Sequence, residues 1–129
     1  MTKNRNFLQT SKKLADYFIE NLPEDNVPFY DFRDLASSIP KDSSAAAIAL
    51  QPIMQLYILT GRENYKKAFS RMLHSLSSKK YLSSDVDDYE GIIMHACADK
   101  RAGEYTNSSL IFGCYSYVEA LSRLPGMQI

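Results

Sequence analysis

The residues best suited to bind a ligand lie in a long connection near the carboxy terminus of the sequence. His95 belongs to an apolar run that begins at Gly91, and a charged tract of Asp99, Lys100 and Arg101 follows it. An imidazole and a guanidinium in that arrangement could be presented to an anionic ligand. The alternative is a strand-like or turn segment tucked against the helices, with a hydrogen-bonded histidine and a solvated charge run. We favour this alternative, because exposure to solvent is the default for Lys and Arg.

A second candidate is an aromatic cluster in the loop that follows Pro23. It consists of Val27, Pro28, Phe29, Tyr30, Asp31 and Phe32. Rings in such a cluster could stack on a sugar. The alternative is an ordered loop whose aromatic side chains pack down over the helix ends, and we favour it because aromatic residues tend to fill cores.

Patterns diagnostic of catalysis or metal binding are missing from the sequence. Acid–base chemistry needs a carboxylate or histidine held at its target, and no pair of aspartates has a diagnostic spacing. The candidates by residue type are Asp16, Asp31, Asp34, Asp42, Asp85, Asp87, Asp88 and Asp99. There is no phosphate-binding glycine loop, nucleophile elbow or zinc-binding helix motif. Cys97 and Cys114 lack flanking His or Cys at metal spacing, which indicates two reduced thiols. We therefore predict no catalytic residue and no metal site.

Composition and charge exclude several classes of partner. The 129 residues include 15 basic and 15 acidic side chains, so the net charge is zero and no global field attracts nucleic acid or an anionic bilayer. The longest wholly apolar run, residues 45–50, is far shorter than the roughly 20 residues of a membrane-spanning helix. No apolar core of a secretory signal is present near the amino terminus. We expect a cytoplasmic chain that binds neither nucleic acid nor a membrane.

Hydrophobic periodicity predicts four helices. The predicted helices are 7–22, ended by Pro23; 43–60, capped by Asp42 and ended by Gly61; 62–77; and 108–124, ended by Pro125 and Gly126. The first and third are amphipathic. The second is apolar on all sides, so it must be surrounded by other helices, and Pro52 should kink it.

The order amphipathic, buried, amphipathic, buried is an internal repeat. Residues 12–22 align with 66–76, and Asn107, Ser108 and Ser109 would cap the fourth helix as residues 42–44 cap the second. The fold is therefore predicted to be all-α, with two αα hairpins at about 6–60 and 62–124, each with an outer and an inner helix. Such units bury their inner helices only against further units. The chain either self-associates or is part of something larger.

Several segments resemble the unsaturated glucuronyl hydrolases of glycoside hydrolase family 88. They are residues 27–32, residues 40–49 with the string Pro-Lys-Asp-Ser-Ser-Ala-Ala-Ala-Ile-Ala, the Gly91, Ile92 and His95 segment, and the closing stretch 109–123. The resemblance covers nearly the whole chain but only the carboxy-terminal third of the family's domain. It implies two of the six hairpins of an (α/α)6 toroid.

The resemblance also implies an activity and a set of binding residues. Family members remove an unsaturated uronic acid from lyase-generated oligosaccharides by hydrating the C4–C5 double bond, with an aspartate as general acid and base and no cofactor. The family's catalytic aspartates lie on earlier hairpins, so no catalytic residue is carried over. The substrate-binding residues implied are Tyr30, Asp42, Ser43, Ser44, His95 and Arg101. Cys114, which stands where the family usually has Asp, and Pro52 depart from the family pattern.

Three functions stay open on the sequence. The first is a carboxy-terminal fragment of a glucuronyl hydrolase, inactive alone, which acts on a uronate-containing oligosaccharide together with an amino-terminal partner chain. The second is a small helical module that self-associates through its apolar helices. The third is a non-catalytic binder of uronate or sulfated sugars that uses Lys100, Arg101 and the aromatic cluster.

Overall fold

The computed structural model describes residues 5–124, which form four α-helices joined by two long loops and, between the second and third helices, a short connection of residues 61–62. The helices are α1 (Arg5–Glu20), α2 (Ser43–Thr60), α3 (Glu63–Leu76) and α4 (Ile111–Arg123). A short 3₁₀ turn, Ser83–Asp85, lies in the connection between α3 and α4. Isolated antiparallel bridges order the two loops. The predicted all-α class is confirmed. The predicted stop of the last helix at Pro125 and Gly126 lies outside the described residues.

Helix α2 has the bounds and both caps that the sequence predicts. Asp42 Oδ1 accepts the backbone N–H groups of Ser44 at 3.1 Å and Ala45 at 3.3 Å. Gly61 ends the helix with a φ of +66°, a left-handed conformation that glycine adopts without strain. The helix continues on both sides of Pro52.

The core forms where α2 packs along α3 and α4. Its α2 side chains include Ala46, Ala47, Leu50, Ile53 and Met54, and α3 contributes Tyr65, Ala68, Phe69, Met72 and Leu76, all buried. The predicted apolar face of α3 is therefore confirmed. Side-chain hydrogen bonds also connect the helices. Tyr65 Oη donates to Asp16 Oδ1 at 2.8 Å, Arg123 Nη1 donates to Gln51 Oε1 at 3.2 Å, and the hydroxyl of Ser77 at the end of α3 is 2.9 Å from that of Tyr117.

Helix α4 begins three residues later than predicted, and its predicted cap is wrong. Leu110 occupies the N-cap position, and no side chain caps the helix. Ser108 instead pairs with Ala96 through two backbone hydrogen bonds of 2.8 and 3.0 Å, which hold this segment extended. Asn107 hydrogen-bonds His95, and Ser109 Oγ lies 3.1 Å from Cys114 Sγ. Asn107 and Ser108 therefore bond to the preceding loop, whereas Ser109 contacts a side chain of α4 without capping the helix.

Gly113 allows α4 to approach the first turn of α2 at backbone distance. A Cβ atom at Gly113 would lie 2.7 Å from Ser44 Cβ and 2.9 Å from Ser44 Cα. Real Cβ atoms do not approach this closely, so any side chain here would push the two helices apart.

Three helices leave large apolar side chains uncovered. On α1, Ala15 is buried but Leu14 is 67% exposed, so the apolar side of this amphipathic helix is only partly covered. An apolar groove of about 800 Å³ runs between α1 and α2 and is lined on one side by Leu14 and Phe18 and on the other by Ile53 and Leu56. On α4, Ile111 is 84% exposed. The expectation that α2 is surrounded holds only on its α3 and α4 sides.

Among the described residues, α2 is the helix long and apolar enough to cross a membrane, judged by its 18 residues and mean hydropathy of 1.2. Core helices of soluble proteins can be equally long and apolar, and 44% of α2 is buried within the chain. Length and composition are therefore weak evidence for a membrane span.

Candidate functional site

The start of α2 and the two long loops meet at one end of the helices, which we call the rim (residues 23–44 and 77–110). Asp42 is its structural centre. Besides the two capping N–H groups of α2, Asp42 Oδ1 accepts the Ser44 hydroxyl at 2.5 Å and the Cys97 N–H at 3.3 Å. One carboxylate oxygen therefore joins the first turn of α2 to the loop between α3 and α4.

Ser43 and Ser44 are buried beneath the rim. The Ser43 N–H donates to the carbonyl of His95 at 3.2 Å, which brings the α2 terminus and His95 together. The Ser43 hydroxyl is buried without a hydrogen-bond partner among residues 5–124. Both side chains are therefore closed off from the rim surface in this structure.

His95 is hydrogen-bonded, as in the alternative that the sequence favours. Its Nδ1 lies 2.7 Å from Asn107 Oδ1, and its ring meets Tyr81 edge-on with centroids 5.8 Å apart. The backbone has a φ of +64°, an unfavourable conformation for a residue with a side chain. The N–H of the preceding residue, Met94, donates to the carbonyl oxygen of Tyr81 at 2.7 Å and holds this segment in place. The hydrogen bond to Asn107 and the contact with Tyr81 hold the imidazole in one orientation and maintain the strained backbone.

The aromatic cluster packs over the helix ends, so the alternative preferred from the sequence is again confirmed. Phe32 meets Tyr17 and Phe18 of α1 edge-on, with centroids 6.0 and 5.6 Å apart. Phe29 lies under the Lys41 ammonium at 4.0 Å. The half-buried Tyr30 is fixed by its N–H, which donates to Pro40 O at 2.9 Å.

Arg101 lies in an exposed turn. Its N–H donates to Asp99 Oδ1 at 2.9 Å, and its side chain is exposed. The neighbouring Lys100 forms an ion pair with Asp34, whose pKa is lowered by the hydrogen bond from that ammonium. In the charged tract, Arg101 is therefore exposed to solvent, whereas the ion pair of Lys100 with Asp34 connects the two loops.

A charge cluster around Asp25 was not predicted from the sequence. Asp25 Oδ1 accepts Lys41 Nζ at 2.7 Å, and Oδ2 accepts Lys80 Nζ at 2.8 Å and Tyr81 Oη at 2.7 Å. Partial burial raises the pKa of Asp25, but the three hydrogen bonds outweigh it and hold that pKa well below its usual range. Burial and the Asp25 carboxylate raise the pKa of Tyr81. No motif joins residues 25, 41 and 80 in the sequence, so only the fold brings them together.

The pKa values of the two thiols are shifted in opposite directions. Cys97 and Cys114 are free and buried. Burial, with nearby Asp42, raises the pKa of Cys97. For Cys114 burial acts in the same direction, but hydrogen bonds from Ser109 and backbone N–H groups outweigh it and lower the pKa. Within residues 5–124, no three His, Cys, Asp or Glu side chains are grouped to hold a metal ion.

No family model matches the chain, but curated relatives and solved structures do. An unsaturated glucuronyl hydrolase of Formosa agariphila is 31% identical over 125 residues, which are 95% of this chain and 31% of that protein. An unsaturated chondroitin disaccharide hydrolase of Streptococcus pyogenes serotype M1 is 32% identical over 94% of this chain and 32% of its own length. The chain thus spans about a third of the relatives it matches.

Solved structures share the fold. The unsaturated glucuronyl hydrolase of Bacillus sp. GL1, responsible for the degradation of glycosaminoglycan, superposes with a TM-score of 0.86 at 30% identity over 94% of this chain and 33% of that one. An unsaturated glucuronyl hydrolase specific for heparin gives a TM-score of 0.90 at 26% identity over 97% and 35%. A Streptococcus agalactiae relative complexed with dGlcA-GalNAc6S gives 0.78 at 30% identity over 87% and 31%. In sequence and in fold, this chain is similar to about a third of the length of the unsaturated glucuronyl hydrolases, whose (α/α)6 toroid its four helices match in part.

Proposed function

We propose that this chain supplies two hairpins and part of the substrate-binding rim to an unsaturated glucuronyl hydrolase. The complete enzyme would release an unsaturated uronic acid from a uronate-containing oligosaccharide by hydrating its C4–C5 double bond. The observation that carries the proposal is the match in both sequence and fold over more than nine tenths of the chain, to enzymes of one activity.

The catalytic acid and base would come from other hairpins. Asp42 is the aspartate among the predicted binding residues, and its Oδ1 is committed to four donors. An acid–base catalyst must instead exchange a proton with its target. In our proposal Asp42, Ser43 and Ser44 position the rim, and Tyr30, His95 and Arg101 are the residues that a sugar could meet.

The apolar groove between α1 and α2 and the exposed face of α4 would be the two seams to the remaining hairpins. Each contains large apolar side chains whose exposure to water is unfavourable, such as Leu14 and Ile111. The relatives have about two thirds of their length beyond the matched segment, which is enough chain to cover both seams. We propose earlier hairpins of the same fold as the occupant of both. The division into hairpins 6–60 and 62–124 and the cytoplasmic location stay predictions.

A chimera tests the proposal directly. The matching third of the Bacillus sp. GL1 hydrolase is replaced by this chain, and activity is followed as the loss of absorbance of an unsaturated chondroitin disaccharide. The control is the same hydrolase with that third deleted. We expect turnover by the chimera and none by the deletion control or by this chain alone.

Each outcome bears on one part of the proposal. Turnover by the chain alone would show that it contains its own catalytic groups. A chimera that folds, as judged by its helical circular dichroism, but does not turn over substrate contradicts the proposed role in the enzyme. Stable dimers of this chain with no binding of dye to apolar surface would favour the self-association module.

A further inference from the structure

A second, smaller cavity opens at the rim beside the Asp25 cluster. Its volume is about 280 Å³, and it is lined by Pro40, Lys41, Lys80, Tyr81, His95, Thr106 and Asn107. This volume is just below the range of about 300–1,000 Å³ for small-molecule sites, so the cavity has room for one small group rather than an oligosaccharide. Its lining includes two ammonium groups and an imidazole and contains no carboxylate.

The charge balance of the cluster leaves the cavity positive. Asp25 offers one negative charge to two lysines, and its three hydrogen bonds with Lys41, Lys80 and Tyr81 hold it as a carboxylate. Tyr81 stays a neutral phenol, because burial and Asp25 raise its pKa. One net positive charge therefore remains on the two ammonium groups.

The two lysines differ in how fully they are engaged. Lys41 Nζ donates to Asp25 Oδ1 at 2.7 Å and Val27 O at 3.0 Å, and it lies over the Phe29 ring. Lys80 Nζ donates to Asp25 Oδ2, and its side chain is 59% exposed. An ammonium has three N–H donors, so Lys80 can donate to a ligand in the cavity without breaking its ion pair.

Two other residues of the cavity lining are held in place. His95 and Asn107 are hydrogen-bonded to each other at 2.7 Å, and His95 is packed edge-on against Tyr81. With Asn107 Oδ1 facing His95, the amide NH₂ of Asn107 is a second donor group at the cavity. A fixed arrangement of ammonium and amide donors is the chemistry that recognises an oxyanion.

We propose that this cavity binds one oxyanion group, the carboxylate or sulfate of a sugar, with Lys80 and Asn107 as its donors. That the oxyanion is carried by a sugar rests on the proposed hydrolase function; oxyanion binding itself does not. Lys41, through Asp25, acts as a positioning residue for Lys80.

The test is a titration of the full chain, labelled with ¹⁵N, by sodium sulfate at ionic strength kept constant with sodium chloride. We expect saturable shifts of the Lys80, Thr106 and Asn107 amides, and binding weakened about tenfold or more in Lys80→Gln, as for loss of a hydrogen bond to a charged group. Lys79→Gln is the matched control, because Lys79 is its neighbour in sequence, is 90% exposed and does not line the cavity. Equal weakening by both variants, or shifts that do not saturate, would overturn the proposal.

A second variant and three further probes complete the design. Asn107→Asp places a carboxylate in the cavity and should abolish sulfate binding; unchanged binding in this variant contradicts the proposal even if Lys80→Gln fails to fold. Titrations with sodium acetate, glucuronate and a sulfated unsaturated disaccharide then compare a free carboxylate with oxyanion groups carried by sugars. The ligand that binds most tightly should shift the same amides as sodium sulfate. No step requires hydrolysis, so failure here leaves the chimera experiment intact, and an inactive chimera leaves the sulfate result intact.

Discussion

Replacing Asp42 by alanine should destabilise the chain by about 2–3 kcal/mol. Loss of an N-cap costs about 1 kcal/mol. The Ser44 hydroxyl and the Cys97 N–H also lose a charged acceptor, which adds about 1–2 kcal/mol for bonds of this length and partial burial. At roughly 4 °C per kcal/mol for a chain of this size, the thermal midpoint should fall by about 10 °C. Circular dichroism during heating measures the shift.

Two further variants show whether capping is the cause. Asp42→Asn keeps an acceptor oxygen at the cap and should stay within about 1 kcal/mol of the native chain. Asp31→Ala removes an exposed aspartate whose Oδ1 accepts the Arg33 N–H at 2.8 Å, and it should cost less than about 0.5 kcal/mol. If Asp42→Asn is as unstable as Asp42→Ala, the charge and not the cap holds the rim, and the reasoning fails. The same holds if Asp42→Ala melts no lower than Asp31→Ala.

Three other predictions concern packing, acid stability and the α4 seam. Gly113→Ala should cost about 1–3 kcal/mol in denaturant unfolding, because the clash with Ser44 outweighs the gain of about 1 kcal/mol in helix propensity. The pKa of Asp25 is lower in the folded chain than its unfolded value of about 4, so its contribution to stability is complete above that pH and is lost as the pH falls below it. The acid side of a stability–pH profile should therefore be flatter in Asp25→Asn. Ile111→Asp should leave the melting of this chain within about 0.5 kcal/mol but reduce turnover by the chimera, because Ile111 is exposed here and would be buried at a seam.

Each of these predictions has a matched control. Ser122→Ala on the same helix should not destabilise, so a similar loss there would contradict the packing argument for Gly113. Asp87→Asn, at an exposed loop aspartate, should keep the native acid profile, and an identical change in both variants would contradict the assignment to Asp25. Ser122→Asp adds the same charge to α4 as Ile111→Asp, so an equal loss of chimera activity would contradict the seam.

Local features of the fold were predictable from the sequence because their causes are local. Helix α2 begins after the capping carboxylate of Asp42 and ends at the left-handed Gly61. The apolar face of α3 follows from the spacing of its apolar residues alone. The cap of α4 was not predictable from local chemistry. Asn107 and Ser108 have the right side chains, but the bridge to Ala96 and the contact with His95 compete for them, and both partners lie about a dozen residues away.

The sequence by itself indicated the four helices and the similarity to unsaturated glucuronyl hydrolases, because these depend on residue order. It placed both caps of α2 but not the cap of α4. It also favoured a packed aromatic loop and a hydrogen-bonded histidine, on the general behaviour of those side chains. Only the tertiary structure brought Asp25, Lys41 and Lys80 together and showed the cavity that they flank. Charge pairing across such separations leaves no periodic pattern, because a carboxylate and an ammonium recognise each other through space wherever the fold places them. The apolar groove of α1 and α2 likewise became visible only once the covered sides of each helix were known.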